Sequence, residues 1–203
     1  MHRAKLRFDD AVLRVRNLDS LYIHLTATLH YPATDVSDIL RSEVVYVISA
    51  FDKFMHDIVK QGMIDIFLGL RATTPAYKNF TINLSQLDAI TNATSIPSPV
   101  DVFERIIIQN HSHLSFQDPE KLNPALSLIW AENHKWFKIA TCMRMSESDV
   151  KVELKNIVMR RNQIVHEGDL DPLSGTLQVI RPNDVTTSVD FIERLGNCIY
   201  TLI

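Results

Sequence analysis

The sequence predicts an all-α domain: a bundle of long antiparallel helices with an irregular insertion around residues 71–98. Three observations predict it. Apolar residues recur at helical spacing over long stretches toward both ends of the chain. Only 5 Gly and 8 Pro are spread over 203 residues, too few turn-formers for a many-stranded sandwich. A hydrophobic share of 46% against 22% charged is enough for one packed core. No repeat or low-complexity segment divides the chain, so residues 1–203 read as a single domain.

Taken in order, Phe8, Val12, Val15, Leu18, Leu25 and Leu29 trace a first helix that Pro32 stops. A second starts after Thr34 or Ser37, either of which can cap its free amides, and runs through Val44, Ile48, Phe51, Met55 and Ile58 toward Phe67. Two such helices on a short connection form an antiparallel hairpin. Residues 71–98 are rich in Thr, Asn, Ser and Pro and allow one short helix near Leu84 to Thr91. Ser98-Pro99 opens a helix through Ile108, and a polar stretch follows. Asn123-Pro124 is read as the start of another helix through Trp130, and Trp136 to Met143 as a further short one. Ser146-Glu147-Ser148-Asp149 supplies a cap and an acidic first turn; Val150, Leu154, Ile157, Val158 and Val165 form the stripe that follows. Gly168 ends that helix and Pro172 prevents its resumption. Leu177 to Ile180 reads as a short extended piece, and Asp184 to Leu202 as the last helix.

Composition bounds the function. No apolar run reaches the roughly 18 residues of a membrane span, so no membrane partner is expected. The charged start of the chain does not resemble a secretory leader, which points to a cytoplasmic protein. Cys142 and Cys198, far apart in apolar stretches, then read as reduced packing residues, with a disulfide as the second alternative. A net charge of −3 argues against a dedicated binder of long nucleic acid; a phosphate contact has to be a local basic patch. There is no glycine-rich phosphate loop, nucleophile elbow or dinucleotide fingerprint. His111-Ser112-His113 has no Cys, Asp or Glu companions at zinc spacing and reads as solvated loop. No metal or cofactor is expected.

One segment departs from this ordinary pattern. On the helix ending near Gly168, Arg161 continues the row of Leu154, Ile157 and Val158, where a guanidinium is costly without a partner. Asn162 and His166 are four apart and share a face. His166 lies in the last turn, and an imidazole titrates close enough to neutrality to donate or accept a proton. An Arg and a His at this spacing also occur by chance, as a structural ion pair and a carbonyl-bonded helix end, so the surrounding residues must carry the assignment.

They do. Arg161-Asn162-Gln163-Ile164-Val165-His166 resembles the R-polar-x-x-x-H motif of the HEPN superfamily, and residues 160–169 (RRNQIVHEGD) resemble its RiboL-PSP-HEPN branch. Leu40 to Val45, Val47 to Asp52, His56-Asp57 and Val189 to Glu193 are similar to that branch as well, so the resemblance runs from about Asp35 to the end. It implies a HEPN helical bundle and a metal-independent endoribonuclease of toxin or phage-defence type, acting on an RNA substrate as a homodimer, with an antitoxin or defence-system partner. It also assigns roles. His166 moves a proton, Arg161 holds the scissile phosphate, and Asn162 positions the phosphate or His166. From their positions alone, Arg160 is expected to contact RNA, and Asp52, His56 and Glu167 to support the site. The tyrosine that follows the histidine in some HEPN toxins is replaced here by Glu167-Gly168-Asp169, which departs from that route of regulation.

Two alternatives stay open at this point. One is a non-catalytic HEPN module that binds a nucleotide or protein partner. The other is a helical adaptor, preferred if Arg161 is buried against a core carboxylate. Arg41 and Glu43 read as pairs inside the bundle, and Asp52 with His56 as a structural pair or as support for the motif. Arg161 and His166 are five residues apart, which turns them about 140° away from each other on one helix. A frayed helix end, arginine's reach or a second subunit has to close that gap.

Overall fold

A computed structural model describes all residues, 1–203. The architecture is all-α: α1 (His2–Ile23), α2 (Ser37–Phe67), α3 (Pro75–Lys78), α4 (Leu84–Thr91), α5 (Pro99–His111), α6 (Pro119–Ser127), α7 (Lys135–Met143), α8 (Glu147–Glu167) and α9 (Pro182–Leu202). A π-helical turn, His24–Thr28, extends α1. The expected extended piece at Leu177 reduces to one antiparallel bridge between Leu170 and Leu177. No helix is long and apolar enough to cross a membrane.

Contacts divide the chain into two compact units, and α2 runs through both. The first contains residues 2–54 and 136–202. Its core takes Phe8, Val12 and Val15 from α1, Leu40, Val44, Ile48 and Phe51 from α2, Leu154 and Ile157 from α8, and Val189, Ile192 and Leu195 from α9. These are the apolar rows visible in the sequence, now facing each other. Gly196 lets α1 and α9 approach closely, because a Cβ there would come within 2.5 Å of the Phe8 ring.

The second unit contains residues 55–135 with Met1 and Ile203. Here α4 is bounded by a capping box of Asn83 and Gln86, and α5 by one of Ser98 and Asp101. α6 begins earlier than expected. Asp118 caps it by accepting from the Glu120 amide, Pro119 occupies its first turn, and Pro124 lies inside the helix instead of starting it. His111 also departs from expectation: it is 6% exposed, in edge contact with Phe80 and Phe116, and not a solvated loop residue. Burial, with His56 and His113 nearby, pushes its pKa down to about 4, so it stays neutral.

The cysteines need a correction. Cys142 of α7 and Cys198 of α9 form a disulfide within the first unit, with Cα atoms 5.8 Å apart. Packing of two helices distant in sequence brings them into bridging range. Closing a loop of 56 residues removes about 4 kcal/mol of unfolded-chain entropy in the chain-entropy account.

Glu43 is a second correction. Arg41 does pair within the bundle, with Asp169, but Glu43 makes no ion pair there. It is 1% exposed, its Oε1 has no hydrogen-bond partner, and burial, reinforced by the carboxylate of Asp19, pushes its pKa up to about 7. The folded state therefore keeps a proton that the unfolded chain releases above its ordinary value of 4.5. Stability contributed at this site should fall as pH rises from 4.5 to about 7 and then level off, a loss of at most about 3 kcal/mol. Urea midpoints at pH 5 and pH 8 should therefore differ less in Glu43→Gln than in the unaltered chain. Equal differences would refute this assignment.

Candidate active site

α8 is fixed at both ends by its own sequence. The Ser146 hydroxyl accepts from the Asp149 amide at 3.0 Å, and Glu147 and Asp149 meet the positive end of the helix dipole. Val150, Leu154, Ile157 and Val158 bury the inward face. Gly168 closes the helix in the left-handed region (φ 63°), and its amide donates to the Gln163 carbonyl. The helix stays regular to Glu167, so fraying does not bring Arg161 and His166 together.

The residues after the cap build a polar lock. Asp169, also left-handed (φ 57°) and 0% exposed, takes a bidentate contact from Arg160, with Nη2 at 2.9 Å, and a bond from Arg41 Nε at 2.7 Å. Arg41 Nη2 also donates to the Gln178 carbonyl at 2.7 Å, and the Gln178 amide donates to the Asp169 carbonyl at 2.8 Å. The loop over residues 169–178 is thereby held against α2 and α8. Arg160, expected to contact RNA, spends its guanidinium on Asp169 and the Gln178 side chain.

Arg161 has no carboxylate partner. It is half-buried, its Nη1 donates to Asn162 Oδ1 at 3.1 Å, and its buried Nε has no hydrogen-bond partner. The condition that favoured a plain adaptor is therefore not met. His166 is exposed, with no hydrogen bond or ion pair on its ring, and Glu167 beside it is exposed as well. Val152 and Met159, 54% and 51% exposed, stand two and one heptads before His166 and continue its face as an apolar row.

The two supporting residues on α2 lie one helical turn apart. Asp52 is half-buried in the first unit. His56 belongs to the second, where Nε2 lies 3.2 Å from the Leu114 carbonyl and the ring stacks on Phe116 at 4.1 Å. Asp169 stands within the motif segment, but its residue type and spacing alone assign it no role. No local signal assigns one, because Arg41, which completes its pairing with Arg160, lies 128 residues away in sequence. No group of three or more His, Cys, Asp or Glu side chains is arranged to hold a metal ion.

Residues 9–203 match the family model described as RiboL-PSP-HEPN. No curated protein and no solved structure matches the chain.

Proposed function

Because the chain belongs to the RiboL-PSP-HEPN family, whose wider superfamily is often ribonucleolytic or nucleotide-binding, we propose that it is a metal-independent endoribonuclease acting at a composite cleft of a homodimer. One observation carries this reading. Of the three basic groups in the motif, Arg160 is neutralised by Asp169, while Arg161 and His166 have no acidic partner and remain available to an anion.

RNA carries its own nucleophile, so the residues need only hold a phosphate and move protons. The 2′-oxygen attacks phosphorus and forms the new O–P bond while its proton leaves to a base. The P–O5′ bond breaks, and the 5′-oxygen takes a proton. His166 serves one of these proton transfers, most simply the second. Arg161 offsets charge on the pentavalent phosphate, and Asn162 fixes the guanidinium through its 3.1 Å bond. The products are a 2′,3′-cyclic phosphate and a 5′-hydroxyl. Arg161 and His166 diverge along α8, so the second copy supplies the complementary group, with the two-fold axis near His166. The exposed Val152–Met159 row gives that interface apolar surface to bury.

Family resemblance supports a toxin or defence role, with an antitoxin or defence-system partner. The net charge of −3 favours the rival reading, a HEPN module that binds a nucleotide or protein without cleaving RNA.

Incubation with mixed cellular RNA separates the two. Cleavage should persist in EDTA and leave 5′-hydroxyl ends. Loss of activity in EDTA with recovery in magnesium would overturn the mechanism, and binding without cleavage would select the rival.

A further inference from the structure

Beside the motif lies a cavity of about 430 Å³ between the start of α2, the end of α8 and the locked loop. Its lining includes Asp38, Ser42 and Tyr46 of α2, Ile164 of α8, and Leu177 of the loop. Tyr46 is 56% exposed, a large ring left partly in water on the rim. Asp38 carries a carboxylate whose side chain is 86% exposed and only loosely paired, 3.6 Å from Arg41. Ser42 donates its hydroxyl proton to the Asp38 carbonyl, which leaves its oxygen free to accept.

The charges decide what such a cavity takes. Arg41, its one cation, is already bonded to Asp169, Ser37 and the Gln178 carbonyl. The available groups are therefore a carboxylate, a hydroxyl oxygen, an aromatic face and aliphatic walls. That set repels phosphate and suits a flat heterocycle with N–H donors on its edge. The unpaired cation stands close by: Arg161 is one turn before Ile164 on the same face of α8, about 5–6 Å away between Cβ atoms. This spacing is about that between a phosphate and its own base.

We propose that this cavity is a base-specificity site, which seats an unpaired nucleobase against Tyr46 while Arg161 holds the adjoining phosphate. Guanine is the preferred base, since it alone offers two neighbouring N–H donors on its pairing edge to a single carboxylate such as Asp38. The inference rests on the proposed RNA-directed reading of the motif, yet it concerns binding and not cleavage.

The test uses the full chain carrying His166→Ala, titrated by calorimetry with the 5′-monophosphates of guanosine, adenosine, cytidine and uridine. The guanosine nucleotide should bind at least about tenfold more tightly than the uridine nucleotide. Tyr46→Ala should weaken it about tenfold, whereas Tyr46→Phe, which keeps the ring, should not. Asp38→Asn should make the four affinities converge. Arg161→Ala should weaken the nucleotide but leave guanosine itself unchanged. Absence of saturable binding up to about 10 mM, equal affinity for all four, or indifference to both Tyr46→Ala and Asp38→Asn would overturn the proposal. A protein that cleaves RNA yet fails these titrations loses this inference alone. One that passes them without cleaving RNA loses only the ribonuclease reading.

Discussion

In the His166→Ala protein, RNA cleavage is expected to fall by about 10²–10⁴-fold, with the thermal midpoint unchanged. The size follows from the role: a positioned proton donor contributes that much, and no neighbouring side chain bonds the His166 ring in a way that suggests a substitute. The unchanged midpoint follows from exposure, since His166 makes no bond whose loss would cost stability. Arg161→Ala is expected to reduce cleavage by about 10²–10³-fold, as when a single charge-stabilising donor is removed. Its half-buried stem makes a small stability loss acceptable as well. Mixing the two inactive variants should restore activity to at most about half that of the unaltered chain, because random exchange places half the chains in mixed dimers. No recovery after exchange would refute the shared cleft, and a strictly monomeric, fully active protein would refute the dimer. Undiminished cleavage in His166→Ala would move the chemistry elsewhere.

What the sequence could reveal depended on how far each feature reaches along the chain. The bounds of α4 and α8 were legible because their signals are local: Asn83 with Gln86 caps the first, while Ser146 and Gly168 bracket the second. α6 was misread for an equally local reason. Asp118-Pro119 and Asn123-Pro124 both look like helix starts, and the second sits nearer the apolar residues. The motif was legible as a set of residue types, and the isolation of Arg161 from any carboxylate could be posed as a question before it was answered. Three features lay beyond sequence reasoning. The Cys142–Cys198 bond depends on how α7 meets α9. The solitude of Glu43 depends on what α1 fails to offer it. The role of Asp169 depends on Arg41, 128 residues away.

Asp169→Ala is expected to cost about 3–5 kcal/mol, the largest stability loss of any single change considered. The carboxylate is nearly inaccessible, and it is the near partner of Arg41, whose side chain is 8% exposed. Without it, Arg41 keeps a buried charge with only the solvated Asp38, 3.6 Å away, to offset it. Arg160 is less affected, since its side chain is 24% exposed and can turn toward water. Alanine also fits the left-handed backbone at this position poorly, where φ is 57°. Asp169→Asn tolerates that backbone and keeps the shape, so its cost isolates the charge and should be the smaller of the two. Urea denaturation with an unchanged slope and a lower midpoint would report the loss. In a double-mutant cycle, Arg41→Met should recover part of the cost of Asp169→Ala, because it removes the charge left stranded. A loss below about 1 kcal/mol for Asp169→Ala would mean that the lock does not hold the loop, and the cavity walled by Leu177 would lose its support with it.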